Sequence, residues 1–142
     1  EKLSIIIMGS SSSVPRVSYE DIITGINDST MVLVSTLSPH EQDCLIHKTV
    51  PIHEEEALLN RLLQTGQTKM KPIILYGRNC NDTTIITKYK QCVQLGFQYV
   101  YVYVGGLFEW LLLQDIYGNE LFPTTSEITD ILKYRPPKQL HM

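Results

Sequence analysis

The chain has 142 residues, a formal net charge of −3 at pH 7 and three cysteines. A chain of this length is expected to form one domain, and without a basic block it offers no reason to expect nucleic acid as a partner. Three irregularly spaced cysteines argue against a disulfide framework and fit a reducing compartment such as the cytoplasm. No apolar run approaches the roughly 20 residues of a transmembrane segment.

Residues 1–13 are predicted to form a flexible leader, and residues 14–142 a single domain. The apolar run Leu3–Met8 is followed by Gly9 and four serines, a composition typical of linkers. The run is too short for a signal peptide. Met8 and Gly9 begin an N-myristoylation pattern, which would add a lipid anchor only if Met8 were the true start.

The first half of the domain alternates predicted strands and helices. Three segments predict strands, the first at a sheet edge and the second central: Pro15–Val17, Met31–Val34 and Lys48–Ile52. Ser18, with Asp21 three residues later, predicts the capped start of a helix. Glu54–Glu56 predicts the first turn of a second helix, which Gly66 ends.

The stretch from Lys71 to Trp110 predicts a parallel crossover. An apolar strand, Ile73–Tyr76, leads into a polar loop, and Asp82 or Asn81 is placed to cap the helix that follows. Gly96 ends this helix, and a second strand covers Val100–Val104. Ligand sites in such sheets lie at the carboxyl ends of the strands, so the loop after Tyr76 is the predicted site.

The last part of the chain predicts two further helices. The first, from Gly106 to Tyr117, is apolar nearly all round, so it is either buried on every side or offers a face to a partner. The residues that would form this partner surface are Phe108, Leu112 and Tyr117. The second begins at Thr124, which forms a capping box with Glu127, and is expected to cover the first.

The order of these segments resembles the rhodanese-like (sulfurtransferase) domain over roughly residues 14 to 118. Leu95-Gly96-Phe97 and Gly105–Trp110 match that family well, as does Val17–Ile22. The resemblance implies a three-layer α/β fold, with a mainly parallel sheet of about five strands and helices on both faces. It also implies an anion-binding active-site loop, formed here by Gly77, Arg78, Asn79, Cys80, Asn81, Asp82 and Thr83.

The chain departs from the family at the positions that carry catalysis. Gly77 stands where the family has its nucleophilic cysteine, and Asp82 where active members often carry arginine. We therefore expect a pseudoenzyme without ordinary thiosulfate sulfurtransferase activity, acting as a binding or regulatory module with a protein partner at the edge of the active-site loop.

Cys80 is the candidate catalytic residue of the alternative, an atypical sulfurtransferase or persulfide carrier. Loop amides would have to stabilise its thiolate, and the Asp82 carboxylate opposes this. A loop cysteine without a role is the third interpretation. The sequence argues against a phosphatase of the Cys-x5-Arg type, because Ile86 and Gln98 stand where Cys80 and Cys92 would need an arginine.

No cofactor and no metal are expected. His40, His47 and His53 lie too far apart in sequence for a zinc site, and the acidic triplet at 54–56 is better explained as a helix start. The sequence leaves the oligomeric state and the identity of a partner open.

Overall fold

The computed structural model describes residues 14–140, so the predicted leader with its Met8-Gly9 pattern lies outside the described residues. Strands and helices alternate along this part of the chain. In order they are α1 Tyr19–Asp28, β1 Val32–Ser35, α2 Ile52–Gln64, β2 Ile73–Tyr76, α3 Thr84–Leu95, β3 Val100–Tyr103 and α4 Gly106–Tyr117. Two short 3-10 turns are found at Pro39–Glu41 and Ile131–Tyr134. Within residues 14–140, no helix is long and apolar enough to cross a membrane.

The three strands form a parallel sheet in the order β1-β2-β3. Single parallel bridges extend it at both edges, where Arg16 pairs with Val102 of β3 and Thr49 pairs with Leu33 of β1. The expected α/β architecture is confirmed, with two of the roughly five predicted strands reduced to these bridges. Pro15 limits the first bridge because it has no N–H to donate to the ladder, and the second ends where α2 begins at Ile52.

Helices cover both faces of the sheet, as expected. On one face α1 and α4 pack over a core that contains Ile22, Tyr76, Tyr103, Leu107 and Trp110. On the other face α2 and α3 pack over Val34, Leu59, Leu75, Ile85 and Val102. The strands are buried from both sides, which explains their continuous apolar sequences.

Two predicted helix ends are confirmed, one by its hydrogen bonds and one by its backbone conformation. Ser18 Oγ accepts from Glu20 N–H at 3.2 Å, and the Asp21 carboxylate accepts from Ser18 N–H at 2.9 Å, which completes the capping box. Gly96 ends α3 in the left-handed conformation, at φ 110°.

The predicted C-terminal helix from Thr124 is wrong. Thr124 instead forms an antiparallel bridge with Ile46, and its hydroxyl donates to Ser126 O at 2.8 Å and accepts from Gln114 at 2.9 Å. The next amide, Thr125 N–H, donates to Leu45 O. These long-range bonds use the groups that a capping box and a first helical turn need, so only the 3-10 turn at Ile131–Tyr134 remains helical.

Candidate functional site

The predicted active-site loop, Gly77–Thr83, joins the carboxyl end of β2 to α3. The loop packs on the first turn of α4, whose amides at Leu107 and Phe108 donate to the carbonyls of Gly77 and Arg78 at 2.9 and 3.0 Å. Gly106 permits this approach, because it has φ +68° and a Cβ there would lie 2.7 Å from Gly77 O. The start of α4 therefore binds the loop, and those two donors are not free for a ligand.

The Asp82 carboxylate lies inside the loop. Its Oδ2 accepts from Arg78 N–H at 2.8 Å, and its Oδ1 accepts from Thr84 N–H at 3.0 Å and from the Thr84 hydroxyl at 2.6 Å. The N-cap of α3 is Thr83 and not Asn81 or Asp82 as predicted, although Asp82, one residue earlier, accepts from the first helical amide. The same bonds place a fixed negative charge among the amides that a bound anion would need.

Gly77 and Asp82 are coupled by geometry. A Cβ atom on residue 77 would lie 2.5 Å from Asp82 Oδ2, well inside van der Waals contact. No side chain of any kind fits at residue 77 while the carboxylate keeps this position. The absence of a side chain at Gly77 and the position of the Asp82 carboxylate therefore depend on each other.

Arg78 and Asn79 hold the C-terminal segment instead of lining an anion site. The Arg78 guanidinium pairs with Glu41, donates to Lys133 O and lies over the Tyr134 ring, 5.1 Å from its centroid. Buried Asn79 donates to Tyr134 O at 2.9 Å and accepts from the N–H of Asn81 at 2.9 Å. Sequence reasoning missed Glu41, Lys133 and Tyr134, because they are distant in sequence and match no motif.

Cys80 is exposed on the outside of the loop. Its thiol lies 3.8 Å from the Asn81 side-chain oxygen, which is an acceptor and cannot stabilise a thiolate. In residues 14–140, no N–H donates to this sulfur. Cys44 and Cys92 are buried, and burial raises the pKa of both thiols, which keeps them protonated and unreactive at neutral pH.

Two clefts flank the loop at the carboxyl edge of the sheet. One, of about 470 Å³, is bordered by Thr36, Glu41, Asp82 and the tail residues Pro137 and Gln139. The other, of about 600 Å³, is bordered by Cys80 and Arg16. The described residues contain no group of three His, Cys, Asp or Glu side chains that could hold a metal ion.

The residues predicted as a partner surface are only partly brought together. Phe108 is half-buried against the core, whereas Leu112 is 39% and Tyr117 62% exposed. Phe108 and Tyr117 lie nine residues apart on α4, about 13 Å along the helix axis. Only Phe108 lies beside the loop, and the exposed Leu112 and Tyr117 lie in the middle and at the far end of α4.

Comparisons with known proteins agree on the fold. No family model matches the sequence, and no curated protein sequence matches it. Among solved structures, the rhodanese-like domain of the Alr3790 protein from Anabaena sp. is 19% identical, with a TM-score of 0.56 over 90% of this chain and 88% of that one. Ygr203w, a yeast protein tyrosine phosphatase of the rhodanese family, is 12% identical, with a TM-score of 0.58 over 86% and 97%. A full-length protein from Lactobacillus plantarum is 14% identical, with a TM-score of 0.58 over 87% and 96%.

Proposed function

We propose that this chain, which has the rhodanese-like fold, is a pseudoenzyme that binds a protein partner and lacks ordinary thiosulfate sulfurtransferase activity. The observation that carries the proposal is the Asp82 carboxylate bound to Arg78 N–H beside Gly77. The free thiols of Cys44, Cys80 and Cys92 support placing the module in a reducing compartment such as the cytoplasm.

Sulfur transfer from thiosulfate requires a thiolate and stabilisation of a bound dianion. At residue 77 there is no thiol, and the Asp82 carboxylate would repel an anion that entered the loop. Two unit charges about 4 Å apart at an effective dielectric constant of about 20 repel by roughly 4 kcal/mol, close to a thousandfold in affinity. The Arg78 guanidinium does not offset this, because it is held by Glu41 and Lys133 O.

A thiosulfate:cyanide assay on the full chain tests the proposal. We expect thiocyanate formation at the rate of the protein-free control, and turnover well above that control would overturn the proposal. Gly77→Cys alone should stay inactive because the carboxylate occupies the space of its side chain. The double variant Gly77→Cys with Asp82→Ala is measured beside the single variant, since it both adds the thiol and removes the charge.

The second candidate function, a persulfide carrier using Cys80, is favoured by the exposure of that thiol next to a cleft. Its thiolate would take the outer sulfur of thiosulfate, release sulfite, and pass the sulfur to an acceptor thiol. In a carrier, the fold should stabilise the thiolate of Cys80 and so speed its alkylation. The test compares the alkylation rate of Cys80 at pH 7 in the folded chain with the rate in a peptide spanning residues 77–83. We expect equal rates, and a clearly faster rate in the folded chain would favour the carrier.

A further inference from the structure

An apolar groove lies between α1 and the C-terminal end of α4, away from the loop. Buried Phe122 forms its floor, with the Tyr19 ring 5.5 Å and the Tyr117 ring 6.2 Å from it, centroid to centroid. Ile23 and Leu121 complete the walls of a cavity of about 460 Å³. The groove has the aromatic composition that is typical of binding hot spots.

The apolar surface continues beyond the groove along α4. Leu112 and Ile116 are both exposed and lie four residues apart, so they share one face of the helix. Tyr117 and Leu121 are exposed as well and border the groove itself. Four large apolar side chains are therefore exposed within residues 112–121, which favours an interaction surface here.

The two chain segments that form this surface carry charges of one sign. Residues 19–28 and 106–122 contain no Lys, Arg or His, and their acidic residues are Glu20, Asp21, Asp28, Glu109, Asp115 and Glu120. Asp21 is used in the α1 cap, and Glu109 accepts from the Tyr103 hydroxyl. Glu20 borders the groove, and Asp115 and Glu120 adjoin its apolar residues in sequence. Among the described ion pairs, none involves these three carboxylates.

We propose that this groove binds a basic amphipathic segment of a partner protein, whose apolar side chains contact Tyr117 and Leu121 while its Lys or Arg residues face Glu20 and Glu120. Charge complementarity decides between possible occupants. A second copy of this chain would bring two acidic faces together, and an anionic membrane would be repelled as well. The inference deepens the proposed binding role, but it shares no residue with the loop and is tested apart from the activity assay.

A pair of model peptides tests the groove in the full chain. The first is an amphipathic helix of about 14 residues, with leucines at helical spacing on one face and lysines on the other. The second has glutamate in place of every lysine. By calorimetry we expect the lysine peptide to bind and the glutamate peptide not to bind. Amide shifts in NMR spectra should cluster in residues 19–24 and 112–122.

Three variants localise the binding. Leu121→Ser and the double change Glu20→Lys with Glu120→Lys should each weaken binding by about tenfold or more. Leu95→Ser is the matched control, because Leu95 is 55% exposed on α3 and Leu121 is 52% exposed; it should leave binding unchanged. Circular dichroism checks that every variant is folded.

Several outcomes would overturn the proposal. They are equal binding of both peptides, no binding of the lysine peptide, shifts that cluster outside the groove, and wild-type affinity in the Leu121→Ser variant. Sedimentation of the unliganded chain tests the remaining occupant. Self-association that Leu121→Ser abolishes would assign the groove to a second copy of this chain instead.

Discussion

At the scale of single residues, Gly77 leaves free the space that the Asp82 carboxylate occupies. A methyl group on residue 77 would meet Asp82 Oδ2 at 2.5 Å. The carboxylate would have to leave, which breaks its bonds to Arg78 N–H and to Thr84.

The first prediction is that Gly77→Ala lowers the free energy of unfolding by about 1–3 kcal/mol, because it displaces a bonded carboxylate. Urea denaturation of the single variants and of the double variant with Asp82→Ala forms a double-mutant cycle. We expect the loss from Gly77→Ala to shrink when Asp82 is already absent. Additive losses would show that the two residues are not coupled.

Tyr76 ties the sheet to the connection that precedes α2. Its buried hydroxyl accepts from Ile46 N–H at 3.1 Å and lies 2.7 Å from Thr49 Oγ1. Tyr76→Phe leaves that N–H without an acceptor, so we expect a loss of about 1–3 kcal/mol in unfolding free energy. Tyr99→Phe, at an exposed tyrosine, is the control that should change stability little. An equal loss in both variants would contradict the assignment.

The buried thiols predict loss of stability at alkaline pH. Burial raises the pKa of Cys44 and Cys92 above the value of about 8.5 for a free thiol, so the unfolded chain releases these protons first as pH rises. Their contribution to stability is complete below about pH 8.5 and decreases above it. Burial shifts the pKa of Tyr76 upward too, which acts in the same direction. Unfolding free energies at pH 7 and pH 10 should differ less in Cys92→Ala than in the wild type; an unchanged difference would refute this origin.

At the scale of elements, the loop and the 3-10 turn at Ile131–Tyr134 are bonded to each other. Asn79→Ala removes the donor to Tyr134 O and the acceptor for Asn81 N–H. We expect faster hydrogen exchange at Asn81 and a loss of about 1–3 kcal/mol. Asn81→Ala is the matched control in the same loop, because within residues 14–140 that exposed side chain accepts from the Cys80 thiol alone. Equal exchange in both variants would count against this link.

Most helices and strands were predictable from local signals in the sequence. The capping box at Ser18, the glycine at 96 and the apolar runs of β2 and β3 act through neighbouring residues, so the sequence contains them directly. The same kind of signal failed at Thr124, where bonds to Gln114 and the bridge to Ile46 replaced a helix start. A capping pattern is a local preference of about 1 kcal/mol, which several long-range contacts outweigh.

At the scale of the whole molecule, the irregular chain after α4 completes the core. Phe122 is buried, Pro123 O accepts from the Trp110 indole at 3.1 Å, and Thr124 pairs with Ile46. Truncation after Gly118 should therefore expose Trp110 and its neighbours and cause aggregation. Truncation after Arg135 is the control, since in the described residues 136–140 no side chain bonds to the rest of the fold. Light scattering and circular dichroism distinguish the two; a folded, monomeric chain ending at Gly118 would contradict the prediction.

The sequence by itself determined the α/β class, the alternation of strands and helices, and the position of the polar loop after Tyr76, because these follow from periodicity and from caps a few residues away. The resemblance to the rhodanese-like family also led us to expect that Gly77 and Asp82 stand where active members carry catalytic residues. Only the tertiary structure decided that the carboxylate fills the loop, that Arg78 binds the C-terminal segment, and that an apolar groove bordered by Glu20 forms between α1 and α4. Each depends on atoms from residues far apart in sequence, or on side-chain positions that packing decides, and no local pattern contains that information.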